Sequence, residues 1–87
     1  MAHLVCIMAT KEFLEFSAER GNDLSTPRPE MRFRGVKPGE RWCLHVLRWV
    51  EAWEAGMAPR VVLEATHENV LQFVPLSALR RHALEVQ

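Results

Sequence analysis

Leu4-Val5-Cys6-Ile7-Met8-Ala9 is an unbroken apolar run of strand length, and such a run suits a strand covered on both faces. Thr10 follows, with a hydroxyl able to accept from the free N–H groups that open a helix, and Glu12 stands where the positive end of a helix favours an acid. Phe13, Leu14 and Ser17 then recur at helical spacing as far as Gly21. The reading is strand, cap and helix over about residues 4–20.

The same order returns later. Arg60 to Ala65 (RVVLEA) reads as a second strand, Thr66 as the cap of a short helix through Phe73, and Pro75 as its stop. Ala9 and Ala65, Thr10 and Thr66, and Glu12 and Glu68 hold matching offsets, a likeness that the shared demands of capping explain without duplication. Two such units separated by a helix predict a parallel strand pair with a right-handed crossover, which places Thr10 and Thr66 at one sheet edge.

Between the units, Trp42, Val46, Trp49, Val50 and Trp53 follow the spacing of one helical face and Gly56 supplies a stop, so about residues 40–55 read as a long central helix. Gly21 to Gly39 is too rich in proline and glycine for a long regular element. Within it, Met31 and Phe33 alternate with Arg32 and Arg34, the pattern of a short edge strand. Leu76, Leu79 and Ala83 predict a C-terminal amphipathic helix. The expected fold is α/β: a small two- or three-stranded sheet with strand-to-helix units at about 4–20 and 60–73, the central helix and the C-terminal helix, in one domain over 1–87.

A chain of 87 residues fits one domain, and a domain of that size buries only roughly 60–65% of the surface its unfolded chain exposes. Hydrophobic residues make up 48% and charged residues 25%, the composition of a folded protein rather than a disordered one. Eleven basic residues balance eleven acidic ones, so no net field draws the molecule to nucleic acid or an anionic membrane. The segment Met1 to Met8 lacks a basic leader and runs into the charged stretch Lys11 to Arg20, unlike a signal peptide or a membrane span. A cytoplasmic location is expected. The two cysteines, Cys6 and Cys43, stand in apolar runs, where free thiols act as small hydrophobes; they could also pair, which does not by itself imply an oxidising compartment.

From His3 to Leu84 the blocks EFLEFSAERGNDLSTPRPE, KPGERWCLHVLRWVEAWEAG and VVLEATHENVLQFVPLSALRRHAL resemble the small bacterial family catalogued as domain of unknown function 2237. Members of that family usually begin with an additional cysteine-containing segment and often carry W-C-L-C where this chain has Trp42-Cys43-Leu44-His45. The resemblance implies a fold and candidate positions without implying a reaction, and the altered cysteine pattern weighs against a shared multi-cysteine site.

Several constellations bear on function. In the loop Gly21 to Glu30, Asn22, Asp23, Ser25, Thr26 and Arg28 gather amides, hydroxyls, a carboxylate and a guanidinium. They either converge on a small polar or anionic ligand or satisfy one another in local turns, and the second is favoured. Glu64, Thr66 and His67 gather at a strand end, where acid–base work is conceivable and plain capping is the simpler account. Cys43 and His45, two apart, would point about 200° apart on a helix and share a face on a strand. With Cys6, and with His67 added, they form a conceivable metal set that no C-x-x-C or H-x-x-x-H spacing supports, and Cys43 is a conceivable thiol nucleophile with a histidine base. Arg28, Arg32, Arg34, Lys37 and Arg41 surround Phe33, a basic patch more simply read as a solvated face. The three tryptophans read first as core, and any left exposed would mark an interface.

The leading expectation is a non-catalytic module that binds a small molecule or another protein and self-associates as a homodimer, using the polar loop and the tryptophan helix. The alternatives are a small enzyme using Glu64 and His67, or Cys43, with Arg28 as anion anchor, and a metal protein. Whether catalysis occurs is left open by the sequence. No motif indicates a cofactor, and neither nucleic acid nor membrane is expected as a partner.

Overall fold

The computed structural model describes residues 3–84; residues 1–2 and 85–87, the ends of the expected 1–87 domain, lie outside the described residues. A central strand β1 (Leu4–Met8) is followed by helix α1 (Lys11–Glu19), strand β2 (Arg41–His45), helix α2 (Val46–Glu54), the short strand β3 (Arg60–Val61) and helix α3 (Leu76–Arg81). Three 3₁₀ turns, at Pro29–Met31, Leu63–Ala65 and Glu68–Gln72, complete it. The mixed α/β class and the three-stranded sheet are as expected.

Strand order is β2-β1-β3, with both partners antiparallel to β1, so the expected parallel pairing of the first strand with the third is overturned. A crossover through a helix does exist, but α2 carries the chain from β2 to β3, over the strand between them. Buried β1 has N–H and C=O groups on two edges, and each needs a partner. Residues 41–45, expected as the first turns of the central helix, supply one edge. The register Val5↔Leu44, Cys6↔Cys43, Ile7↔Trp42 continues at both ends through Val46 N–H to the His3 carbonyl and Ala9 N–H to the Glu40 carbonyl, each at 2.8 Å. The helix therefore starts at Val46, and Trp42 belongs to a strand whose spacing happened to match the helical repeat that follows.

Local signals held where capping chemistry decides. The Thr10 side chain accepts from Phe13 N–H at 3.1 Å, opening α1. Gly56, with φ +73°, lets Met57 N–H reach the Ala52 carbonyl and its own N–H reach that of Trp53, the paired bonds of a glycine-terminated helix. At 60–73 the expected strand shortens to two residues and the expected helix becomes a 3₁₀ turn. The expected edge strand at Met31 and Phe33 reduces to a 3₁₀ turn and one isolated bridge, Arg28↔Phe33.

Val5 and Ile7 from β1, Leu44 from β2, Phe13 and Leu14 from α1, and Val46, Trp49 and Ala52 from α2 form the core under one face of the sheet. Val70, Val74, Ala78 and Leu79 extend it. The opposite side of the β1–β2 pair carries Leu4, Cys6 and Met8 facing His45, Cys43 and Arg41, by the alternation of side chains along a strand. Among the described residues no helix is long and apolar enough to cross a membrane.

Candidate functional site

Cys6 turns both of its peptide groups away from β2. Its N–H donates to the Thr66 hydroxyl at 3.2 Å, and its carbonyl accepts from Val62 N–H at 2.8 Å. Cys6 therefore meets Cys43 at a position of the antiparallel pair without ladder hydrogen bonds, where facing side chains stand closest. Their Cα atoms are 3.9 Å apart and the two sulfurs are joined in a disulfide. This corrects the expectation of separate buried thiols, and it leaves Cys43 without the free thiol that a nucleophile or metal ligand requires. His45 shares the strand face of Cys43, as expected for a strand and not for a helix.

Beside this disulfide lies an open cleft of about 350 Å³ lined by Leu4, Cys6, Glu64, Ala65, Thr66 and His67. Thr66 was expected to cap a helix. Instead its hydroxyl binds across the fold to Cys6 N–H and donates to the Val62 carbonyl at 2.9 Å. His67 is the cap: its Nδ1 accepts from Asn69 N–H at 3.1 Å and so opens the 3₁₀ turn Glu68–Gln72. Glu64, Thr66 and His67 thus share one small cleft with the buried half of the disulfide, a contact that no local spacing announces.

The polar loop is bonded to itself. The Asp23 carboxylate accepts from Ser25 N–H at 2.9 Å, from Thr26 N–H at 3.2 Å and from the Thr26 hydroxyl. The Thr26 hydroxyl, the two N–H groups and the nearby Arg28 hold the Asp23 carboxyl below its ordinary range. Asn22 closes α1, with its N–H on the Ser17 carbonyl and its own carbonyl accepting from the Ser17 hydroxyl. Arg28 pairs its backbone with Phe33, and its exposed side chain lines neither the cleft above nor the one below.

A larger cleft, of about 590 Å³, is lined by Met31 to Val36 and by Glu40, Arg41 and Trp42. The Phe33 and Trp42 rings meet at 5.5 Å with a 58° tilt, and Trp42 remains 37% exposed. Arg34 pairs with Glu40 at 3.7 Å, while Glu40 also accepts from Lys37 N–H at 2.8 Å. Among the described residues Arg32 and Arg41 have no ion-pair partner, so the cleft combines an aromatic wall with surplus positive charge. Of its residues, sequence offers only Trp42 as a ligand contact, through the tryptophan helix expected to take part in binding. From sequence, Arg32, Phe33, Arg34 and Arg41 read as a basic patch on a solvated face, although the aromatic among the arginines is the signal that points to this cleft.

Among the described residues no group of three or more histidines, cysteines or acids comes together as a metal site. No curated protein matches the chain. A family model described as an uncharacterised protein conserved in bacteria, DUF2237, matches residues 1–83, and the chain belongs to that family.

Proposed function

We propose that the chain is a non-catalytic binding module, a single cytoplasmic domain that self-associates, with its ligand seat in the cleft between the loop 31–36 and β2. The observation that carries this reading is the pairing of the Phe33 and Trp42 rings with unpaired Arg32 and Arg41 in one opening of about 590 Å³, a size that suits a small organic ligand. Aromatic faces take a planar apolar body and guanidinium groups take carboxylate or phosphate, so the ligand class is a small anion with a flat ring. Support for self-association comes from exposed Leu47, Leu71, Phe73 and Leu76 and from β2 as an outer strand.

Thermal-shift screening of aromatic carboxylates and nucleoside monophosphates, followed by native mass spectrometry, tests both parts. A hit should raise Tm in a concentration-dependent way, and Trp42→Ala or Arg41→Ala should remove the shift while leaving the unliganded Tm nearly unchanged. A shift that survives both substitutions places the ligand elsewhere. A strictly monomeric mass across concentrations removes the self-association part.

The enzyme reading keeps one favourable observation, Glu64 and His67 lining the same small cleft. The Arg28 anchor lines neither cleft, which is why binding is preferred.

A further inference from the structure

We propose that Cys6–Cys43 is an exchangeable disulfide, opened by attack of a small thiol at the Cys43 sulfur, so that the protein accepts two electrons from thiols stoichiometrically. The inference does not rest on the ligand cleft, since the two openings have no lining residue in common.

Access is asymmetric. Cys43 is exposed on the outer strand β2, whereas Cys6 on the central strand is only 9% exposed, so an incoming sulfur reaches Cys43 and Cys6 becomes the leaving group. Charge bears on the approach: Arg41 stands two residues from Cys43 on the same strand face, where its guanidinium attracts an incoming thiolate. Glu64 is the acid that lines the cleft with Cys6, a lining that does not include Cys43.

The fold also holds the strands without the bond. Ladder hydrogen bonds fall to Val5–Leu44 and Ile7–Trp42, with His3–Val46 and Ala9–Glu40 beyond them, while Thr66 and Val62 anchor the Cys6 backbone. Opening the disulfide therefore leaves the two sulfurs facing each other, ready to close again.

The chemistry balances as follows. A thiolate forms a bond to the Cys43 sulfur, the S–S bond breaks, and its electron pair leaves on the Cys6 sulfur, which takes a proton from water. A second thiolate attacks the mixed disulfide, releasing the Cys43 sulfur as thiolate, which is then protonated. Two thiols are oxidised to one disulfide, and Cys6–Cys43 is reduced to two thiols. In the cytoplasm proposed above, a disulfide of this transient kind is the usual one.

The test uses the full chain in buffers of defined reduced-to-oxidised glutathione ratio, quenched by alkylation and read by mass and peptide mapping. The expected result is reversible conversion of the folded protein between oxidised and dithiol forms, with the trapped mixed disulfide mapping to Cys43. Cys6→Ser should form that adduct at least about tenfold faster than Cys43→Ser, in line with the exposure of the attacked sulfur. Should Cys43→Ser fail to fold, the wild-type adduct map decides alone. A disulfide that resists excess glutathione until the protein unfolds, an adduct mapping to Cys6, or two free thiols in the air-oxidised protein overturns the proposal.

Discussion

The Thr66 hydroxyl accepts a hydrogen bond from the N–H of Cys6, sixty residues earlier in the chain, and donates one to the Val62 carbonyl. One side chain thereby stands in for a stretch of strand along the β1 edge, where β3 has already ended.

Thr66→Val keeps the shape and removes both bonds, leaving the part-buried Cys6 N–H without its partner. A loss of about 1–3 kcal/mol is expected, and Thr66→Ser should recover most of it. Urea unfolding of the three proteins checks the order.

Gly35 has φ +82°, and a Cβ there would meet the backbone carbonyl of Ser25, where no flexible side chain can yield. Gly56 also has positive φ, but its Cβ would enter open space. Gly35→Ala should cost about 2 kcal/mol or more, against roughly 1 kcal/mol for Gly56→Ala. Equal losses in thermal or urea unfolding would contradict this account of the 22–36 loop.

Trp49 is fully buried, stacked near Trp53 at 5.9 Å, whereas Trp42 is a cleft wall. Trp49→Ala is expected to cost about 3–5 kcal/mol, and Trp42→Ala less than about 1 kcal/mol. The same unfolding experiment separates a core tryptophan from one available to a ligand.

His82 lies edge-on to Trp49 at 5.5 Å. Burial first, then Arg60 and Arg81, holds its imidazole below the usual 6.5. The unfolded chain thus takes up the proton before the folded one does. This contribution to stability is complete above about pH 6.5 and is lost as pH falls from there through the lower folded value. His82→Gln should flatten the fall in Tm between about pH 7.5 and about pH 5.5, on either side of the ordinary imidazole range. A fall of unchanged steepness in the variant would assign it to other groups.

Joining residues 37 apart in sequence, the disulfide closes a loop whose lost freedom in the unfolded chain corresponds to about 4 kcal/mol. Cys6→Ala with Cys43→Ala should lower Tm by roughly 15 °C or more, while circular dichroism at low temperature retains the native shape. A loss of the fold at all temperatures would mean the backbone ladder does not hold the strands alone.

Sequence made legible what neighbours in the chain decide. The apolar run of β1, the Thr10 cap and the Gly56 stop each depend on a few adjacent residues, and each stands as expected. What escaped depended on partners far along the chain. Trp42, Val46 and Trp49 keep a helical interval across a strand–helix junction, so periodicity alone gave one long helix. Only the demand of β1 for hydrogen bonds on its second edge separates the two, and that demand also fixes the register that brings Cys6 to Cys43. Thr66 looks like a local cap because threonine so often is one; its partner is on another strand. In the candidate site, the acid and imidazole of Glu64 and His67 were visible as a local cluster, while the cleft formed by Phe33 and Trp42 needed the loop and β2 to be placed together.

The order β2-β1-β3 also sets a timetable for acquiring structure. The middle strand comes earliest in the chain, yet its two flanking strands arrive only with residues 41–45 and 60–61. During synthesis β1 must wait, apolar and with both edges open, until residue 61 has emerged. Contacts of such wide sequence separation slow folding relative to helical proteins of similar length, and the waiting strand is the segment on which a chaperone would act first.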